Sequence, residues 1–530
     1  MDGRSPERGM PRRTFLTLSF AGIGALALAA CTQTPAPTPS PTPSPTPAPT
    51  PLPTVPGVPA PLAMTRSNWS ADPWTLGGTV FEPVGGTAEA RATLRTPVDA
   101  RIWFAGEALP EDGVRIGTLA AARASGAAVA DDVLRTAESG ERVAVIGAGV
   151  AGLAAAARLA DAGFAVSVFE ARRTVGGRAA NRTVSGFDDP VRYGAVLVPD
   201  DLDVLYDLAR ADVRTVTFAP ELLVRRDDGV EVAPSAFGIA ALQQAHEYAA
   251  AQPEDSSMSA ALAASGATPV SPEPGPDGVS EGEWLEYALR SALAPATGAS
   301  SSRVSATEYD PVVIGDALRG AKYPTAGIGA WIDGIAGRRD VQVAVGSAVS
   351  EVRLGTERVS LRFDTGESFS AHRVVVAVPH GVLREQRIGF VPELPDEYAA
   401  AIAAIPVGDL DVVWLRFEEA FWRPEATAAD EGTGVATAEP NEDDAAEPAV
   451  IPQRLLTVVG GAPGVAAWLD PADSEEAVLV GVVAGAAGTR LGALGDDDFL
   501  AAALDGLTPY GMTTADSSES GDVPSESGDG

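Results

Sequence analysis

The residues best placed to do chemistry are three glycines and one acid. Gly147-Ala148-Gly149-Val150-Ala151-Gly152 follows an apolar run, Val143 to Ile146, and opens an Ala/Leu-rich stretch that reads as a helix to about Ala162. A second apolar run, Ala165 to Phe169, ends on Glu170. Strand, glycine turn, helix, strand and terminal acid are together the parts of a dinucleotide site. Gly147 allows the turn, Gly149 lets the backbone approach a pyrophosphate, and Gly152 lets helix and strand pack closely. The helix N-terminus offers free N–H groups and partial positive charge to phosphates. Glu170 can accept hydrogen bonds from a ribose diol, and its charge disfavours a 2′-phosphate. A lone glycine motif would be weak; set between a strand and a helix, with an acid closing the next strand, it is specific.

The chain that must position these groups has 530 residues, 45% of them hydrophobic. That is enough for one large two-domain body or two or three smaller ones. The formal charge of −34 makes nucleic acid and anionic lipid surfaces poor partners. It would attract a cation such as an amine, or it is simply a solvated acidic surface. His246, His372 and His380 are scattered, and with Cys31 as the one cysteine they leave little for a metal site or a histidine-based triad, so no metal is expected. Lys322 is the sole lysine.

Residues 1–31 read as an export signal. Arg12-Arg13-Thr14-Phe15-Leu16 is a twin-arginine start, and the apolar run Phe15 to Ala30 is short for a membrane span. Leu28-Ala29-Ala30-Cys31 resembles a lipobox, so the expectation is a lipid-anchored protein facing outside the cytoplasm. From Pro35 to Pro53 every second residue is proline, and residues 32–63 read as an extended tether. Asp430 to Pro448 reads as an acidic surface loop and 511–530 as a disordered acidic tail.

The extension Glu170-Ala171-Arg172-Arg173-Thr174-Val175-Gly176-Gly177-Arg178 resembles the EAR…GGR signature of the flavin amine oxidase family. Further resemblances are Trp69-Ser70-Ala71-Asp72-Pro73-Trp74 to WxxDP, Arg101 to Glu107 to RLFFAGE, Gly117 to Gly126 to GTVHGAYLSG, and Tyr193-Gly194-Ala195-Val196 to the DLGAxW strand. Arg373 to Leu383 is similar to VIVTVPLGVL, and Gly408 to Trp422 to the strand bordering the substrate cavity. In the family the WxxDP, RLFFAGE and GTVHGAYLSG segments lie at the C-terminus. Here they precede the glycine turn, and the resemblance stops at Leu507-Thr508-Pro509-Tyr510, just before Met64 would take over. A circular permutation is therefore expected, with a new join through a helix from Thr118 to about Leu134 and a short link to Val143.

The resemblance implies an α/β fold: a Rossmann-like FAD domain of the glutathione-reductase type, plus an α+β substrate domain with a mixed sheet. The expected segments are 64–134, 140–198 and 321–384 for FAD, 199–320 for a substrate or lid region, and 385–510 for the substrate-domain sheet. It implies non-covalent FAD held by Gly147, Gly149, Ala151, Gly152, Glu170, Ala171, Arg172, Gly177, Arg178, Gly194, Ala195, Val349, Gly106, Glu107, Thr118 and Leu119. Glu107 falls where the family contacts the ribityl-phosphate region, Val349 where backbone groups hold the adenine, and Thr118-Leu119 where a helix N-terminus faces the flavin. The position of covalent attachment in some members is Gly78. The implied activity is hydride transfer from an amine or amino acid C–H to flavin N5, with O₂ as acceptor and a small-molecule amine as substrate.

Three departures bear on that activity. Val412 stands where the family commonly has a lysine that holds a water beside the flavin. Thr79 and Thr118 stand where monoamine oxidases place their aromatic cage, so a cage built from those positions is lost. Lys322, just ahead of the family's cavity-lining turn, is the one substitute lysine, although an exposed structural lysine is the simpler reading. The open alternatives are a desaturase or dehydrogenase acting on a non-amine, which a wholly apolar pocket would favour, or a catalytically weak flavoprotein.

Overall fold

The computed structural model describes residues 52–423 and 453–511, apart from 112, 313–315, 317, 319, 462 and 472–475. The export signal, most of the proline tether, the acidic loop and nearly all of the tail lie outside the described residues.

A parallel sheet of five strands carries the glycine motif. Its order is Val341–Val345, Ala165–Glu170, Arg142–Ile146, Arg373–Val376 and Ile102–Phe104. Register brings Phe169, Ile146, Val376 and Phe104 into line at its C-terminal edge. Successive side chains of a strand point to opposite faces, and both faces are buried here. Trp103, Val143, Val145 and Val375 face one core with the helices Leu119–Thr136 and Val150–Asp161. Ile102, Phe104, Ala144, Ile146, Val374 and Val376 face a second core. That second core is closed by a four-stranded sheet, Ser368–Ala371, Val359–Phe363, Val349–Leu354 and Gly389–Val391. Such runs are near-continuously apolar because neither face meets water.

The strand Ile102–Phe104 and the strand Arg142–Ile146 belong to this one sheet, with Arg373–Val376 between them. The helix Leu119–Thr136 connects them and lies against the helix of the glycine motif. The helices approach closely because a Cβ at Gly126 would overlap Ala151 O. Only a glycine lets the first helix sit so near the phosphate turn.

A second, six-stranded mixed sheet runs Ala63–Arg66, Leu410–Phe417, Ala477–Ala484, Ala467–Asp470, Arg454–Val459 and Glu221–Arg226. Neighbours are antiparallel except the last pair. Val413, Leu415 and Phe417 point into a core with Phe499, Leu500 and Leu504 of the helix Asp496–Asp505. Val412 and Trp414 point the other way. Glu221–Arg226 comes from the stretch 199–320, which also forms the helices Leu202–Arg210, Phe237–Ala250, Met258–Ala264 and Glu281–Ala288.

The expected boundary at 64 falls inside this body. Val58 is buried in the core that holds Tyr510, with Leu52 and Val55 packed against it, and Ala63 pairs with Arg416. The last part of the proline run packs because Leu52, Val55 and Val58 supply apolar surface that the Thr/Ser/Ala steps before it lack. Gly57 and Gly511 are in contact, since a Cβ at Gly511 would overlap Gly57 O.

Candidate functional site

Beyond the C-terminal edge of the parallel sheet lies a cavity of about 510 Å³. Each strand delivers its next residues to the wall: Gly106 and Glu107 after Phe104, Gly147 and Gly149 after Ile146, Glu170 to Arg172 after Phe169, and Ala377 to Pro379 after Val376. Ligands of open α/β sheets bind at this edge.

The turn has the geometry its glycines suggest. Gly147 has φ +101°, and a Cβ there would lie 2.6 Å from Ala377 O. A Cβ at Gly152 would overlap Gly147 O, so this glycine serves helix packing and does not line the cavity. Gly149 caps the helix Val150–Asp161, and a Cβ there would meet nothing within 4 Å. Its missing side chain leaves room on the cavity side of the helix N-terminus. Glu170 Oε2 accepts from Ala148 N–H at 2.9 Å, and Oε1 accepts from Arg172 N–H at 2.8 Å. The buried acid thus braces the turn and keeps lone pairs for a diol.

Glu107 and Arg178 form the second grip. Arg178 Nη1 donates to Gly78 O at 2.9 Å, and Nη2 lies 2.7 Å from Glu107 Oε1. Oε1 is buried in this ion pair, and a carboxylate oxygen has a lone pair to spare for a further donor from the cavity. Burial pushes the Glu107 carboxyl up most strongly, but the charge and hydrogen bonding of Arg178, a backbone N–H and His380 together hold it below its ordinary value. Gly106 N–H donates to Ser125 Oγ at 3.1 Å, which ties this turn to the helix Leu119–Thr136. Thr118 caps that helix by accepting from Ala121 N–H at 3.1 Å, and both Thr118 and Leu119 line the cavity.

Ala151, Glu170, Ala171, Arg172, Gly177, Arg178, Gly194, Ala195 and Val349 also line it. Thr79 and Val412 are on its wall too. Lys322 is not. Its ammonium donates to Thr217 Oγ1 at 3.1 Å and faces Asp200 Oδ1 at 3.6 Å. It sits on the strand Lys322–Pro324, which pairs with Thr215–Thr217 and so turns the side chain toward that neighbour. The candidate aligner is therefore a partly exposed lysine that does not line the cavity.

Charge at the cavity also differs from charge over the chain. Among the described residues its wall carries Arg115, Arg172, Arg178 and Arg387 against Glu107 and Glu170, with Arg172 paired to Asp72 and Arg178 to Glu107. Among the described residues of the wall arginine outnumbers acid, and that excess suits a diphosphate.

Several residues on the wall or directly behind it carried no role in the sequence reading. Trp69 Nε1 donates to Tyr193 O at 3.0 Å, and the two rings meet edge to face at 6.4 Å. Asp72 accepts from Arg172 Nη2 at 2.5 Å, so the WxxDP segment clamps the EAR segment. Asp411 Oδ1 accepts from Ser67 Oγ–H at 2.6 Å and Trp69 N–H at 2.9 Å, and Val412 N–H donates to Ser67 Oγ at 3.0 Å. Burial pushes the Asp411 carboxyl up. The quoted motifs held the only available signal for these contacts, because each joins residues more than ninety positions apart.

The residues present fit FAD. Gly149 leaves a cradle that any side chain would fill, and Glu107 presents a buried carboxylate beside the cavity. A Cβ at Gly78 would overlap Leu410 O, so no side chain for covalent attachment fits there. The site is that of a dinucleotide-dependent flavoprotein. Residues 51–134 and 150–519 match the family described as flavin-containing amine oxidoreductase, and the chain belongs to that family of FAD-dependent oxidoreductases. It is 28% identical to probable polyamine oxidase 4 of Arabidopsis thaliana over 309 residues, 53% of this chain and 59% of that protein. A stretch of 61 residues is 51% identical to the zeta-carotene-forming phytoene desaturase of Myxococcus xanthus, 12% of each chain. The chain thus spans 59% of the length of that polyamine oxidase. Among solved structures, a double mutant of putrescine oxidase superposes with a TM-score of 0.51 at 19% identity, over 70% of this chain and 81% of that one. Cyclohexylamine oxidase from Brevibacterium oxydans does so with 0.50 at 19%, over 70% and 82%. These two share its fold.

Proposed function

We propose that this chain oxidises a small organic amine at the C–H bond beside nitrogen. Bound FAD supplies the hydride acceptor, and O₂ takes the electron pair on as H₂O₂. The observation that carries this reading is one cavity shared by the phosphate turn, the Glu107–Arg178 pair and an adjoining apolar chamber. At the nucleotide end, Gly149 and the helix behind it bind phosphate, Glu107 and Glu170 accept hydroxyl hydrogens, and the arginines balance charge. At the other end the apolar wall excludes water and orients the C–H bond. The substrate gives up hydride and an N–H proton to leave an imine, which water hydrolyses outside the protein. No acid–base side chain is demanded of the wall, in keeping with Val412. The test is to purify the protein, record its flavin spectrum and screen amines for peroxide release. A flavin spectrum without turnover of any amine would retire the amine and keep FAD. Desaturation of an apolar C–C bond is the second reading, favoured by the aliphatic character of that wall.

We also propose that the order of segments is a circular permutation. In its support, Ile102–Phe104 and the helix after it share a sheet and a cavity with the glycine motif, and Gly57 touches Gly511. Rejoining the two ends there, and opening the chain at 135–140, would restore the family order. Export and lipid anchoring through Cys31 remain part of the proposal. Radiolabelled palmitate incorporation lost in Cys31→Ser is the expected outcome, and equal labelling would retire it.

A further inference from the structure

We infer that the chamber takes a lipophilic substrate with at most one amine, and that it rejects diamines and polyamines. The inference rests on FAD filling the nucleotide end of the cavity. The six-stranded sheet shows the chamber one face. Leu410 and Val412 alternate out of one strand, Val480 and Val482 out of its partner, and Leu469 out of the next. Ala292 and Pro295 close the opposite side. None of these can accept a hydrogen bond through its side chain.

Among the described residues, the polar side chains that reach this end are neutral hydroxyls and an indole, each with a partner already. Ser291 Oγ–H donates to Tyr287 O at 2.7 Å, and Thr79 Oγ–H donates to Val80 O at 3.3 Å. The Tyr193 hydroxyl is hydrogen-bonded to Thr65 Oγ1, and Trp69 is a donor only. Thr118 both accepts from Ala121 N–H and donates to Arg115 O. The charged group that touches the helical wall is the exposed Arg115, whose Nη2 donates to Ala296 O at 3.1 Å. The two carboxylates of the cavity, Glu107 and Glu170, are engaged at the nucleotide end. One amine can enter neutral, which the chemistry needs in any case. A second ammonium would find neutral hydroxyl oxygens and, among the described residues, no carboxylate at this end, so it would leave water without a counter-charge, which is unfavourable.

The test compares hexylamine with hexamethylenediamine, the same chain with one and with two ammonium ends, and with hexanol. Binding to the anaerobic FAD-loaded protein is followed by the perturbation of flavin absorbance, and flavin bleaching is recorded in the same titration. Hexylamine and hexanol should bind, and the diamine about 100-fold more weakly, the equivalent of ~2.8 kcal/mol. Val482→Asp, at a half-buried wall position, should recover at least tenfold of the diamine's binding. A diamine that binds as well as hexylamine overturns the inference, and so does a failure of both hexyl compounds to bind. Hexylamine that binds without bleaching the flavin leaves this inference standing and defeats the amine oxidation reading instead.

Discussion

Replacing Gly149 by alanine separates the role of the turn in folding from its role in holding FAD. Gly149 has φ −76° and ψ −179°, which alanine adopts without strain, and its Cβ would meet nothing within 4 Å. The cost to the FAD-free protein is that of a poorer helix cap, ~1 kcal/mol. The methyl would occupy the space a pyrophosphate needs against the helix N-terminus. Losing one or two charge-assisted hydrogen bonds there costs about 2–4 kcal/mol, or roughly 30- to 700-fold in Kd. Gly147→Ala is the contrasting control. Its φ of +101° and the 2.6 Å approach to Ala377 O make it a folding defect, with the backbone strain alone worth about 1–3 kcal/mol. The assays are thermal unfolding of the FAD-free proteins by circular dichroism and FAD titration by quenching of flavin fluorescence. If Gly149→Ala bound FAD as tightly as the parent, or unfolded as easily as Gly147→Ala, the cradle would be refuted.

Glu107→Gln should weaken FAD binding and remove an acid-dependent loss of stability. The parent carboxylate is held below its ordinary value of 4.5, so its contribution is present above that pH and is lost as pH falls through the lower folded value; melting curves across that window check the sign. Asp411→Ala should cost about 2–4 kcal/mol by stripping Ser67 Oγ–H and Trp69 N–H of their acceptor, whereas Asp411→Asn keeps it. Because burial raises the Asp411 carboxyl, the parent loses stability as pH rises through that folded value, and urea titrations should show this slope absent from the asparagine variant. Lys322→Ala should leave the flavin spectrum and turnover unchanged and cost no more than about 1 kcal/mol, since its ion pair with Asp200 is partly exposed; a spectral shift would put this lysine back beside the flavin.

The glycine turn, Glu170 and the strands around them were legible because their signal is local: an apolar run, a turn and a helix pattern within thirty residues or so. The helix Leu119–Thr136 and its Thr118 cap were legible for the same reason. Val412 was placed by register alone, and alternation along Leu410–Phe417 does turn it toward the cavity. Glu221–Arg226 was not read as a strand of the second sheet, because its partner lies more than two hundred positions away and its sequence ELLVRR does not alternate. The Asp72–Arg172 clamp and the Asp411 hub were hidden likewise, since a charged pair declares itself only once both ends are folded. Net charge says little about the site. The acidic excess belongs to the chain as a whole, whereas the cavity wall is richer in arginine.

The most direct measurement is diffraction from crystals of the FAD-loaded protein. Density for one FAD is expected with its pyrophosphate on the Gly149 turn and its ribityl chain beside Glu107, bridging two segments that lie on either side of the join at 135–140. FAD touching the glycine turn but remote from Glu107 and Thr118, or no FAD in this cavity, would contradict it.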